Sequence, residues 1–383
     1  MTGRLATVEI DLVQTDFTVF PERSILTYED WRAYAARPSA VKPSMATLDE
    51  YGAMSQAEKK AFNQARTYFH NSFGPILVPA MEKIHSASLR LATQNLRAQP
   101  GARPGIIMDG ISTVGKSTIA MQLGRRYERL ATKNFTVTET PDGNTFIPVV
   151  YINLPGECTI KNFNRILAKF YNIPHPKKID EAFLTDQIKE YARDCGTSMV
   201  IVDDIHFLKM KNRSHATLNN HLKHLANSIS ATFIYAGIDC EGTGLLTEGS
   251  SVERATFSQT GHRFKKFDLS PYRYSTDKMK AEYLTVLSAF ESNLILLKHP
   301  AKSLANELSE YIFARTGGFL GPISTLIREG ASLAIKDKSE RITLEILKKI
   351  KLDFDSEQRF KLYKKQQTAM QQKSVPAVVT AAT

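Results

Sequence analysis

The stretch Gly110-Ile111-Ser112-Thr113-Val114-Gly115-Lys116-Ser117 constrains this chain more than any other. It fits G-x-x-x-x-G-K-[ST] at every fixed position. A short apolar run, Ile106–Asp109, precedes it, and a helical pattern from Lys116 to Leu130 follows it. Glycines let the backbone curl so that successive N–H groups point inward at phosphates. The helix that follows brings its positive dipole end to the same anion. Lys116 is expected to reach the β- and γ-phosphates of ATP and the Ser117 hydroxyl to ligate Mg2+, with Thr118 completing the nucleotide-contacting set.

A second signal lies downstream. Met199-Val200-Ile201-Val202-Asp203-Asp204 reads as a buried strand ending in two acids. Open α/β sheets hold their ligands at that end of the strands. Asp203 is therefore expected to orient Mg2+, and Asp204 to polarise the attacking water. ATP-hydrolysing relatives usually carry Glu in the second place. Asp204 is one methylene shorter, which predicts slow hydrolysis. The next apolar run, Thr232–Gly237, ends at Ile238-Asp239 and makes Asp239 a weak candidate for sensing the γ-phosphate.

The rest of the chain fits an α/β reading. Helical patterns cover 55–69 and 81–96, and Gln99–Pro104 reads as a domain entrance. Strand and helix then alternate, which predicts a parallel sheet covered on both faces. Phe135–Thr140 and Thr145–Ile152 flank a Pro-Asp-Gly-Asn turn and read as a hairpin. From Ser275 to Lys351 only helical patterns remain, and the Gln-, Lys- and Ala-rich tail after Lys364 reads as disordered.

Charge and cysteine content narrow the partners. The 383 residues carry a formal net charge of +11, which favours a polyanionic partner. Lys209, Lys211 and Arg213, just after the two acids, are the candidate DNA contacts; the alternative is an ordinary solvated loop. Lys161, Arg165 and Lys169 form a weaker basic stripe. Arg263 is the candidate finger acting in trans on a neighbour's nucleotide, with Arg254 as its rival. His206, His215, His221 and His224 cluster, but no acid or cysteine completes a metal set. Cys158, Cys195 and Cys240 are too scattered for a disulfide framework, which fits a reducing cytosolic compartment. No signal peptide or membrane-spanning run is expected.

With these residues located, the chain resembles the TniB/TnsC family of AAA+ ATPases, regulators of DNA transposition. The resemblance runs from about Pro104 to Leu352. It rests on Gly110–Ser117, Pro148–Pro155, Val202-Asp203-Asp204-Ile205-His206, Asn219–Asn227 and Arg263-Phe264. In the helical part it rests on Phe290–Leu294, Gly317-Gly318-Phe319-Leu320-Gly321 and Ala331–Ile335. It implies a P-loop AAA+ core, a parallel sheet flanked by helices, followed by a small C-terminal helical lid domain. The expected division is an accessory region at 1–100, the core at 101–272, the lid at 273–352 and a basic tail at 353–383. It further implies a homo-oligomer, ring or helical filament, that assembles on double-stranded DNA with ATP, largely without regard to sequence. Its partners would be a transposase and a target-selection protein. The helix after Gly317-Gly318 lacks the Arg that many AAA+ proteins carry there, and Arg328 comes about two turns later. Two rival readings remain: a helicase-loader or initiator-like ATPase, and an ATP-binding signalling or defence switch.

Overall fold

The apolar runs pair as a sheet because each is too apolar to face water on either side. In the computed structural model, β1 (Gly105–Gly110), β2 (Val149–Asn153), β3 (Met199–Asp203), β4 (Thr232–Gly237) and β5 (Phe264–Leu269) form one sheet. The order is β2-β3-β4-β1-β5 and every pairing is parallel. The description covers residues 24–373 apart from 100, 102, 157, 177, 206–220, 223 and 241–262. β3 and β4 are buried throughout. β5 is the edge strand and only half-buried; its Lys265, Lys266 and Asp268 disguise it in the sequence.

The expected hairpin does not form. Only Glu139 and Thr145 bridge, antiparallel, across the turn. The pairing ends before Pro148: the Ile147 amide donates instead to the Cys195 carbonyl at 2.8 Å, and the Pro148 carbonyl accepts from the Ser198 and Met199 amides at 3.1 and 3.0 Å. The chain is thereby drawn into β2, which pairs with β3.

Helices cover the sheet. α1 (Tyr28–Ala36), α2 (Leu48–Ala53) and α3 (Gln56–Ser72) each open on a capping box, set by Thr27, Thr47 and Ser55. α4 (Pro79–Leu96) starts with proline at its first turn. α5 (Lys116–Ala131) leaves the phosphate loop. α6 (Ile160–Phe170), α7 (Glu181–Asp194) and α8, described at 221–222 and 224–228, complete the core. The C-terminal helical portion holds α9 (Asp277–Glu291), α10 (Ser303–Asn306), α11 (Ser309–Thr316), α12 (Leu320–Lys336), α13 (Leu344–Lys349) and α14 (Phe354–Lys373). This is a P-loop AAA+ core followed by helices.

The stretch expected to begin a disordered tail is instead helical as α14. Its first turns are anchored: the Arg315 guanidinium meets Glu357 at 2.7 Å and Tyr311 packs edge-on against Phe360. The link from sheet to C-terminal helices is held just as closely. Tyr272 N donates to Gly318 O at 3.0 Å, and a Cβ on Gly318 would stand 2.1 Å from the Tyr272 carbonyl oxygen. With φ at +77°, position 318 takes glycine on both counts. Among the described residues no helix is long and apolar enough to cross a membrane.

Candidate nucleotide site

The phosphate loop leaves β1 at a close approach to β5. A Cβ on Gly110 would lie 2.2 Å from the Leu269 carbonyl oxygen of β5. Thr113 (φ +65°) and Gly115 (φ +92°) are both left-handed, which folds the loop back to start α5 at Lys116. The Lys116 Nζ donates to the Gly110 and Ile111 carbonyls, both at 2.7 Å. Burial lowers the Lys116 pKa, and Asp203, Asp204 and Asp109 oppose that effect. The ammonium is thus a buried charge held at the loop that phosphates would enter.

Asp203 ends β3 fully buried. Its Oδ2 accepts from the Tyr151 hydroxyl at 2.8 Å and its Oδ1 from the Asp204 amide at 2.9 Å. The Ser117 side chain also hydrogen-bonds it. Burial raises the Asp203 pKa, while the Ser117 and Tyr151 bonds pull it down. Tyr151 is pushed up by burial and then by Asp203, so the phenol stays a donor. The Ser117 hydroxyl and Asp203 carboxylate therefore converge as two hard oxygen ligands, the donor set that fits Mg2+. Asp204 is half-buried in a left-handed conformation, φ +59°.

Lys116, Ser117 and Asp204 open onto a cavity of about 770 Å³, with Asp203 buried behind them. Ser112, Thr113 and Gly115 through Thr118 line one side, with Asp204 beside them. The opposite wall was not legible in the sequence. It comes from the link between α3 and α4 (Phe73, Pro75, Ile76, Val78) and from Leu320, Gly321, Ser324 and Arg328 of α12. The one trace in the sequence is the proline-bounded apolar run Phe73–Pro79. Arg328 reaches the cavity after all. Its guanidinium donates to the Phe73 carbonyl at 2.6 Å and lies 4.6 Å from the Phe73 ring centre. Ile238 lines the cavity, whereas Asp239 after it is exposed.

Arg263 stands at the other end of the sheet. The register pairs Phe264 with Gly105 and Leu269 with Gly110, so Arg263 lies a full strand length from its own phosphate loop. At about 3.3 Å per residue that is on the order of 20 Å, too far to reach it. Its Nη1 donates to Asn227 Oδ1 at 3.3 Å, and Arg90 and Lys265 share its concavity. Lys209, Lys211, Arg213, Arg254, His206 and His215 lie outside the described residues. The second basic stripe is described: Lys161 and Lys169 are exposed on α6, and Arg165 and Lys169 share a shallow concavity with His175. His221 is structural, its Nε2 2.8 Å from Asn164 Oδ1 and its pKa lowered to about 4 by burial.

The chain is distantly similar to three solved structures. They are the Aeropyrum pernix Orc1 protein in complex with DNA, the Aeropyrum pernix Orc2 protein in ADPNP–ADP complexes, and Cdc6p from Pyrobaculum aerophilum. Identities are 14%, 13% and 17%, with TM-scores of 0.49, 0.49 and 0.45. The matches take in 72%, 74% and 73% of this chain and 65%, 70% and 68% of the others. The Orc1 match thus spans less than two thirds of that chain. No curated protein matches. The Bacterial TniB protein family matches residues 82–274 and stops short of the C-terminal helices. That span is half of the chain and takes in the phosphate loop, Asp203, Asp204 and Arg263. By this match the chain belongs to the TniB family.

Proposed function

We propose that this protein is an ATP-dependent AAA+ regulator of DNA transposition. In the ATP-bound form it assembles on duplex DNA, selects or marks the target and activates a transposase. Membership of the TniB family supports the reading. The observation that supports it is that the residues assigned here to nucleotide chemistry lie at the two opposite ends of the sheet. Lys116, Ser117 and Asp204 line one cavity, Asp203 ends β3 behind them with Ser117 bonded to it, and Arg263 stands at the opposite end of the sheet. An arginine so placed completes a nucleotide site only on a neighbouring copy, which makes assembly and ATP binding interdependent.

Within the site each residue has a physical task. Lys116 offsets charge on the β- and γ-phosphate oxygens. Ser117 and Asp203 would hold Mg2+, which would supply positive charge to offset that of the phosphates. Asp204 orients the attacking water with a short reach, so turnover is slow and the assembled state long-lived. Phe73, Ile76 and Val78 form an apolar wall suited to the adenine ring.

The charge supports contact with DNA. The chain is +11, and Lys161, Arg165 and Lys169 repeat along α6 with no acid among them. Together with Lys209, Lys211 and Arg213, such cations in each subunit would track the phosphate backbone without reading bases. Electron microscopy of the protein on duplex DNA with a non-hydrolysable ATP analogue tests the reading. Rings or filaments that need both DNA and nucleotide are expected; single particles under every condition would refute it.

A further inference from the structure

The reading above leaves Trp31 and Tyr151 without a task, yet they form an unbroken path from α1 to the metal-orienting acid. Trp31 is 1% exposed and is the only tryptophan in the chain. Its ring stacks on Tyr151, centroids 5.4 Å apart and planes 12° from parallel. The Tyr151 hydroxyl then donates to Asp203 Oδ2 at 2.8 Å. We propose that Tyr151 is a positioning residue for the Mg2+ site and that Trp31 acts on that site through it, so that α1 takes part in nucleotide binding. This deepens the reading of Asp203 as the acid that orients Mg2+ and rests on it.

The chemistry is that of an outer partner to a metal ligand. A carboxylate can rotate about its last bond, and only some rotations direct a lone pair at the cation. Here Tyr151 takes Oδ2 and the Asp204 amide takes Oδ1, which fixes the plane of the group beside Ser117. Partners of this kind orient ligands, and their loss typically lowers metal affinity. The phenol itself needs a support, because β2 holds only its backbone. Trp31 supplies the face against which the ring lies.

α1 is fixed where this task requires. The Trp31 indole N–H donates to Glu128 Oε2 of α5 at 3.3 Å. Arg125 and Arg129, also on α5, donate to the Ala35 carbonyl at 3.2 and 3.0 Å, and Arg129 reaches the Arg37 carbonyl at 2.9 Å. Gly124 makes the fit possible, since a Cβ there would stand 2.7 Å from the Trp31 ring. The same helix begins at Lys116 and Ser117, so α1 is braced against the element that carries the other metal ligand.

The test titrates MgCl2 into the full chain bound to a non-hydrolysable ATP analogue and follows Trp31 emission. The wild type is expected to show a saturable change. Tyr151→Phe keeps the ring and its stack but lacks the donor. Its Mg2+ half-saturation is expected to rise about 10-fold or more, with analogue affinity in EDTA unchanged. Trp31→Phe, read with a fluorescent nucleotide, is expected to shift the same Mg2+ curve in the same direction by less. A wild-type Mg2+ curve for Tyr151→Phe overturns the proposal. So does an equal loss of analogue affinity with and without Mg2+, which is the mark of a packing role alone. An unshifted curve for Trp31→Phe removes α1 from the mechanism. Absence of analogue binding by the wild type in either condition overturns the nucleotide reading itself and this inference with it.

Discussion

Arg66 of α3 and Glu340, in the turn between α12 and α13, form a bidentate ion pair with Arg66 fully buried and Glu340 5% exposed. Arg66 also donates to the Ile295 carbonyl at 3.3 Å, and Glu340 accepts from the Leu297 amide at 3.1 Å. α3 runs directly into the apolar wall of the cavity. The pair therefore ties that wall to the C-terminal helices.

Breaking such a pair leaves one charge buried without compensation. Arg66→Met is expected to cost about 3–5 kcal/mol of stability, whereas Arg66→Met with Glu340→Leu recovers most of it. Urea unfolding of the two variants measures the difference. Equal destabilisation would place the cost in packing rather than charge.

Lys116→Ala is expected to abolish ATP binding, because the backbone cradle alone lacks a charge for the β/γ oxygens. Ser117→Ala should weaken binding with Mg2+ more than without it. Isothermal calorimetry with and without Mg2+ separates the two effects, and ATP affinity unchanged in Lys116→Ala would remove the loop from nucleotide binding.

The two acids should differ in kind. Asp203→Ala is expected to impair Mg2+-dependent binding. Asp204→Asn should keep ATP bound and suppress turnover, which holds the assembled state in place. Single-turnover hydrolysis checks both, and turnover by Asp204→Asn at the wild-type rate would exclude Asp204 from the chemistry.

Stability should depend on pH through His70. Burial, with Arg66 beside it, lowers the His70 pKa to about 4, and its Nε2 accepts the Ile295 amide at 2.9 Å, which requires the neutral ring. The unfolded chain takes up a proton near the ordinary value of 6.5, so stability is lost as pH falls from there towards 4. Glu128 works the other way: burial raises its carboxyl to about 7, and its cost in the fold is relieved as pH falls through that value. Comparing the wild type with His70→Gln cancels the Glu128 share. Between about pH 6.5 and 5 the wild type is expected to lose about 1.5 kcal/mol more than the variant. Parallel melting curves for the two proteins would contradict this.

Much of this architecture could be read from the sequence where the signal was local. Gly110–Ser117 and the run ending at Asp203-Asp204 are contiguous patterns, and the structure brings them together on one cavity. β5 escaped notice because an edge strand alternates, and Phe264-Lys265-Lys266-Phe267-Asp268-Leu269 shows its charges. The N-terminal helices were partly legible as periodic segments, but their attachments were not. Trp31 meets Glu128 and Arg66 meets Glu340 across 97 and 274 residues of sequence, and no spacing rule reaches that far. The apolar wall at Phe73–Val78 was hidden for the same reason, since it becomes a wall only when α12 packs opposite it.

The central claim is that nucleotide-driven assembly creates a DNA-binding surface. Fluorescence anisotropy on random-sequence duplex, with and without an ATP analogue across a salt series, tests it most directly. The account predicts binding that requires the analogue, ignores sequence and falls steeply with salt, each neutralised phosphate releasing about 0.9 counterion. Lys209/Lys211/Arg213→Ala and Lys161/Lys169→Ala should each flatten the salt slope and leave ATP affinity intact. Binding to DNA that is absent at low salt, or equal with and without the analogue, would contradict the account.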